Sequence, residues 1–229
     1  MKRGAGRLVR LLTTAGAGRQ ALTEPEVKGL LRELGLPVPT GRFVPRGERL
    51  PEPLGLSFPL VAKVVVPGLA HKSDLGGVRL GLRDEAELAE AVAELAELPD
   101  SSGVLVEEQA PPGLEVIVGG LVDPQFGPLV MFGLGGLFVE LYRDVAFALA
   151  PLDLAAARRL LAAPRAATLL RGFRGRPPLD EAALAAIIMG AGNLLASGRV
   201  TLLDLNPVIL YPVGAMVVDA KLQLRGEAG

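Results

Sequence analysis

Pro59-Leu-Val-Ala-Lys-Val-Val-Val66, followed by Ala70-His-Lys-Ser-Asp-Leu-Gly-Gly77 and the alternating run Val78-Arg-Leu-Gly-Leu82, is the stretch on which the fold turns. The first part is continuous in Leu and Val and reads as a buried strand. Lys63 breaks that apolar run. A charge at a buried strand position costs free energy unless an anion meets it; the alternative is an edge strand that turns Lys63 to solvent. The loop that follows holds the only histidine of the chain, His71, and ends on Gly76 and Gly77. Backbone N–H groups of such a loop can cradle phosphate oxygens. Taken alone, a single His is more often structural or exposed than functional.

Working outward, Leu22-Thr-Glu-Pro-Glu-Val27 is a helix start, with Thr23 as cap, Glu26 closing a capping box and Leu22 stapled onto Val27. Val27, Leu30, Leu31 and Leu34 make an apolar face, and Gly35 ends the helix. Pro37, Pro39, Pro45, Pro51 and Pro53 read as a link. Beyond Leu82, Asp84 to Leu98 predicts a second helix. Gly103 to Glu107, Glu115 to Val122, Leu129 to Phe132 and Val145 to Ala150 predict strands separated by Pro and Gly turns. Leu154 to Ala163 and Asp180 to Ala196 predict Ala/Leu-rich helices. Val200 to Leu205 and Ala215 to Leu222 return to strand. This succession is α+β with at least two sheets, not a strictly alternating doubly wound fold.

Composition narrows the chemistry. The chain has 229 residues and no Cys, which excludes disulfides, thiolate metal sites and a Cys nucleophile. Lys plus Arg total 24 against 25 Asp plus Glu, a balance that argues against nucleic acid as partner. The basic start, residues 1–21, reads as a leader without the apolar core of a secretory signal, because Arg7 and Arg10 interrupt it. Two uncharged stretches, Pro124 to Val139 and Ala182 to Gly198, fall short of the roughly 20 residues of a membrane span. The expectation is a cytoplasmic protein with no membrane association. Gly16-Ala-Gly-Arg-Gln-Ala21 matches a dinucleotide fingerprint in form, but no strand precedes it. Neither a Walker-type loop nor a Gly-x-Ser-x-Gly elbow occurs.

Several further polar residues interrupt apolar strands. Glu107 ends one and Glu115 opens another, so each either faces a cleft or is an ordinary solvated strand end. Asp204 and Asn206 share one face by period-2 geometry, and a hairpin would bring Asp219 beside them. Two or three oxygen donors on one sheet face, with room for water and phosphate, suit Mg²⁺. Together these signals describe a nucleotide site.

On Leu22-Thr-Glu-Pro-Glu26, Lys63, His71-Lys-Ser-Asp-Leu-Gly-Gly77, Leu105-Val-Glu-Glu108 with Glu115, Asp123-Pro-Gln-Phe-Gly-Pro128, Phe132-Gly-Leu-Gly-Gly136, Gly172-Phe-Arg-Gly175 and Leu203-Asp-Leu-Asn-Pro207, the chain resembles a known family. It is the ATP-grasp β subunit of the ADP-forming acyl-CoA synthetases, relatives of succinyl-CoA synthetase. The resemblance runs from about Leu22 to Leu222. It implies an ATP-grasp domain over 22–222, with a smaller lobe at 22–102, a larger lobe at 103–222 and a tail at 223–229, the lobes clasping a nucleotide between their sheets. By the same resemblance Lys63 contacts the ATP or ADP phosphates beside Gly76 and Gly77. Glu107, with the adjoining Glu108 and Ala110, reads the adenine, and Glu115 holds the ribose. Asn206 and Asp219 ligate Mg²⁺. His71 corresponds to a mobile phosphohistidine and Asp204 to the carboxylate that steadies it. The implied reaction is acyl-CoA + ADP + Pi ⇌ carboxylic acid + ATP + CoA, shared with a CoA-binding α subunit in an α2β2 assembly. Two other readings stay open: an ATP-grasp ligase that forms its acyl phosphate directly, and a non-catalytic nucleotide sensor or scaffold.

Overall fold

Among the described residues, antiparallel pairing sorts the strands into two sheets, one of seven strands and one of four. The computed structural model describes residues 12, 16, 18–67, 76–135, 144–172, 175 and 177–226. In chain order the elements are β1 (Ala21–Leu22), α1 (Glu24–Glu33), β2 (Gly41–Pro45), β3 (Leu60–Val65), β4 (Val78–Leu82), α2 (Glu85–Ala96), β5 (Gly103–Glu108), β6 (Leu114–Asp123), β7 (Gly127–Leu134), β8 (Val145–Leu149), α3 (Leu154–Ala162), a 3-10 turn (Arg165–Leu169), α4 (Glu181–Ala196), β9 (Val200–Leu210), β10 (Ala215–Val217) and β11 (Ala220–Leu224). The chain divides into two units: a smaller one of Thr23–Glu26 and Pro39–Pro111, and a larger one of the remainder.

In the smaller unit the strand order is β2-β5-β3-β4. Helix α2 closes one face, burying Leu88, Ala91 and Leu95 against Ala62, Val64, Val104 and Val106. Asp84 caps it by accepting the Glu87 N–H at 2.9 Å, and the Glu87 carboxylate reaches back to the Arg83 N–H at 2.8 Å. β5 pairs with both β2 and β3. Residues 103–108 therefore belong with the smaller unit and do not open the larger one. β2 lies inside the stretch expected to be a Pro-rich link. It is an edge strand, where Pro45 at its end forfeits no interior ladder bond.

The larger sheet runs β1-β11-β9-β6-β7-β8, with β10 paired to β9. Val118, Val130, Phe132, Leu203, Leu205 and Leu222 line its buried face. Against that face lies α4, whose Leu184, Ile187, Ile188, Ala191 and Leu195 are buried. Val27, Leu30 and Leu31 of α1 join the same core. The expected leader contributes too: Leu12 is fully buried in that core, and β1 pairs with β11. At the other end β11 continues through Leu224, past the expected tail boundary.

Two strand expectations change. β9 does not stop before Pro207 but continues to Leu210. A register shift opposite Val116 and Val118 takes up the extra residue, and a proline without an N–H is tolerated at such a bulge. The expected strand 215–222 is broken, because Val218 and Asp219 separate β10 from β11. Asp219 is therefore between strands, not on one.

Asp180 joins two of these elements. Its Oδ1 accepts the Ala183 N–H at 2.9 Å, capping α4, and its Oδ2 accepts the Gly214 N–H at 2.9 Å in the turn between β9 and β10. The Ala183 bond first, and the Gly214 bond second, hold its carboxyl below the usual value. A carboxyl depressed in the folded state adds stability above its unfolded pKa, and that stability is lost as pH falls through the folded value. Asp180→Ala is expected to cost about 1–2 kcal/mol at neutral pH in urea melts. The deficit relative to the parent should shrink below about pH 4; a deficit unchanged with pH would show that the charge contributes nothing.

Candidate functional site

The described candidate residues are shared between the two units. In the smaller unit, β3 lies between β5 and β4, so Lys63 is on an interior strand and the edge-strand alternative falls. Lys63 stands opposite Leu105, and Glu107 stands opposite Val61. That diagonal, two residues off register, is within reach of long side chains on the same face. Lys63 Nζ is 3.1 Å from Glu107 Oε2 and 2.9 Å from Glu24 Oε1. All three are buried, with Lys63 at 6%, Glu107 at 2% and Glu24 at 4% exposure. The anion required by a buried lysine is thus supplied by two carboxylates, Glu24 and Glu107.

Gly41 makes room for this cluster. A Cβ there would lie 2.7 Å from Glu107 Cγ and 2.8 Å from the Val106 carbonyl oxygen. Gly41→Ala is expected to cost about 1–3 kcal/mol by overpacking, because Glu107 must move. A urea midpoint checks this; a variant matching the parent would show that Glu107 has slack.

Gly77 is buried beside Lys63, its carbonyl accepting the Val64 N–H at 2.8 Å. Gly76 has φ +64°, a conformation that side chains disfavour, and is exposed. Glu108 is half-buried, and its carboxylate accepts the Ser57 N–H at 2.9 Å. The backbone N–H groups of Glu108 and Gln109 go to Thr40 O and Pro59 O. Ala110 follows, half-buried, at the end of the unit. His71 lies outside the described residues.

In the larger unit, Asp204 of β9 stands opposite Lys221 of β11 and Gly119 of β6. Lys221 Nζ is 3.8 Å from Asp204 Oδ2, so Asp204 is ion-paired on the sheet face away from α4. Asn206 is exposed, and its backbone N–H donates to the Asp219 carbonyl at 3.2 Å. The break between β10 and β11 thus sets Asp219 beside Asn206, as a simple hairpin would have. The Asp219 carboxylate also accepts the Ala220 N–H at 2.7 Å. That backbone bond joins a residue with an amide oxygen to one with a carboxylate, donor types that Mg²⁺ takes from a protein when phosphates and water complete its shell. Glu115 is exposed on β6, on the same sheet face as Gly119, and its carbonyl accepts the Gly135 N–H at 2.9 Å. It touches neither Asp204 nor Asn206 in the strand pairing.

Sequence reasoning missed Glu24 and Lys28. Glu24, Val27, Lys28 and Leu31 are spaced i, i+3, i+4, i+7, so both charges sit on the stripe that α1 buries. That spacing was the available signal. Lys28 is 2% exposed and donates to the Val218 carbonyl at 2.6 Å, next to Asp219.

A family model described as an ATP-grasp domain matches residues 13–224. The chain is 38% identical over 223 residues to the ADP-forming acetate–CoA ligase I subunit beta of Pyrococcus furiosus, covering 93% of this chain and 96% of that one. The chain belongs to the ATP-grasp family of ADP-forming acyl-CoA ligase β subunits. Among solved structures, it is 42% identical to acetyl-coenzyme A synthetase 1 of Ca. Korarchaeum cryptofilum, with TM-score 0.81 over 96% of this chain and 100% of that chain. That protein was solved with coenzyme A and Mg-AMPPCP, its phosphohistidine segment pointing towards the nucleotide binding site. The ADP-forming acetate–CoA ligase I of Archaeoglobus fulgidus is 38% identical over 199 residues, and there the match spans only 29% of the polypeptide. Among the described residues, no helix is long and apolar enough to cross a membrane.

Proposed function

We propose that this chain is the nucleotide-binding half of an ADP-forming acyl-CoA synthetase, catalysing acyl-CoA + ADP + Pi ⇌ carboxylic acid + ATP + CoA with a CoA-binding α subunit. The observation that carries the nucleotide reading is the buried ammonium of Lys63 beside Glu107. An isolated structural salt bridge of this kind stabilises a fold little, since desolvation offsets much of the attraction. A phosphate-binding lysine next to an adenine-reading carboxylate gives the pair a use.

In this reading Lys63, Gly76 and Gly77 hold the nucleotide phosphates. Glu107, with the backbone through Glu108 and Ala110, orients the adenine, and Glu115 holds the ribose. Asn206 and Asp219 would hold Mg²⁺, which when bound neutralises phosphate charge. His71 accepts a phosphoryl group on its neutral imidazole from a histidine of the α subunit and donates it to the terminal phosphate oxygen of ADP, and Asp204 steadies the ring. Imidazole suits that task because its ordinary pKa, about 6.5, leaves it uncharged at neutral pH. The protein's part in such a transfer is positioning and electrostatics.

The P. furiosus relative is named as a subunit, and the A. fulgidus relative carries about two further thirds of polypeptide beyond the match. Both support a partner supplying the CoA and carboxylate sites, which we place in an α2β2 assembly in the cytoplasm. The test is reconstitution: the chain purified with its α subunit should form ATP from acetyl-CoA, ADP and phosphate, and neither subunit should do so alone. ATP formation by this chain without a partner, or none by the complex with any acyl-CoA, would overturn the reading.

A further inference from the structure

We propose that Glu24 is a positioning residue for Lys63, holding its ammonium where a nucleotide phosphate can reach it; this rests on the reading of Lys63 as the phosphate-binding lysine. Glu24 is in the first turn of α1, yet helix capping does not account for it. Glu26 fills that role, its carboxylate accepting from the Thr23 N–H at 2.8 Å and the Thr23 hydroxyl at 2.7 Å. Glu24 instead turns to β3 and is buried to 4% exposure with its Oε1 2.9 Å from Lys63 Nζ.

The lysine needs such a hold. Its stem is long and flexible, and Glu107 draws Nζ at 3.1 Å. With Glu107 alone, nothing opposes that pull, and Nζ leaves the position from which it reaches a phosphate. With Glu24 opposing it, Nζ is held between two carboxylates, and Glu107 is not its sole counterion. A second residue that fixes the geometry of a binding group is how sites keep their contacts in place. The consequence is selective: losing Glu24 should harm ligands that bear phosphate and spare those that do not.

The experiment is calorimetry on the full chain with Mg-ADP and with adenosine, for the parent, Glu24→Gln and Glu24→Asp. Glu24→Gln should weaken Mg-ADP about tenfold, the scale of one hydrogen bond to a charged group, and leave adenosine within about twofold. Glu24→Asp, which keeps the charge on a stem one methylene shorter, should weaken Mg-ADP by less than Glu24→Gln but still selectively, leaving adenosine as in the parent. If Glu24→Gln fails to fold, Glu24→Asp alone decides: phosphate-selective weakening supports the role, and unchanged Mg-ADP affinity overturns it. Equal weakening of both ligands, or equal or tighter Mg-ADP binding in folded Glu24→Gln, also overturns it. A parent that binds Mg-ADP no better than adenosine would instead sink the reading of Lys63 on which the proposal stands.

Discussion

His71→Asn is expected to abolish ATP formation by the reconstituted complex, by about 10⁴-fold or more, as removal of an obligate covalent carrier does. Mg-ADP affinity should survive, because phosphate, adenine and metal contacts are assigned to other residues. The composition makes the chemical test unusually clean. His71 is the only histidine among 229 residues, and there is no cysteine. Phosphohistidine formed from γ-32P-labelled ATP, stable in alkali and discharged in acid, can therefore lie on this chain only at His71. His71→Asn should lose that label entirely. An ATP-grasp ligase that forms its acyl phosphate directly has no need of the residue, so unchanged turnover in His71→Asn would favour that alternative. Asp204→Asn bears on the same step. It should slow phosphoryl transfer and leave Mg-ADP binding intact, since Asp204 is paired with Lys221 and is not among the groups assigned to the nucleotide.

The parts of the fold that were legible in sequence are those with a strong local period. α1 announces itself through Thr23, Glu26 and its apolar stripe, and β3 through a Leu/Val-rich run, interrupted by Lys63, that is buried at every position. The sites partly followed: Lys63 and Glu107 were singled out separately as charges out of place, and the sheet register joined them. What stayed hidden was set by tertiary partners. β2 is Gly41-Arg-Phe-Val-Pro45, and only the edge of the sheet beside β5 makes it a strand. Pro207 reads locally as a stop, yet a bulge carries β9 through it. Asp219 reads as a strand residue, yet it sits where β10 gives way to β11. Glu24 was overlooked because its neighbour Glu26 satisfied the capping pattern, which left no local reason to ask what the other glutamate faced.

Lys63→Met is expected to destabilise the smaller unit strongly and to remove Mg-ADP binding. The ammonium pairs with both the Glu24 and the Glu107 carboxylate, and methionine keeps the stem while removing the charge that both of them face. Removing one partner of a buried ionic cluster costs about 3–5 kcal/mol, whereas replacing the whole cluster with neutral groups of similar volume is often close to neutral. The combined change Glu24→Gln, Lys63→Met and Glu107→Gln should therefore regain most of the lost stability in urea melts and none of the nucleotide affinity. That pattern separates the two reasons a protein might keep charge in its interior. If the cluster served the fold, the triple change would be as unstable as Lys63→Met; if it serves the nucleotide, stability returns and binding does not. A Lys63→Met midpoint equal to that of the parent would show that the ammonium is not what keeps the two carboxylates buried.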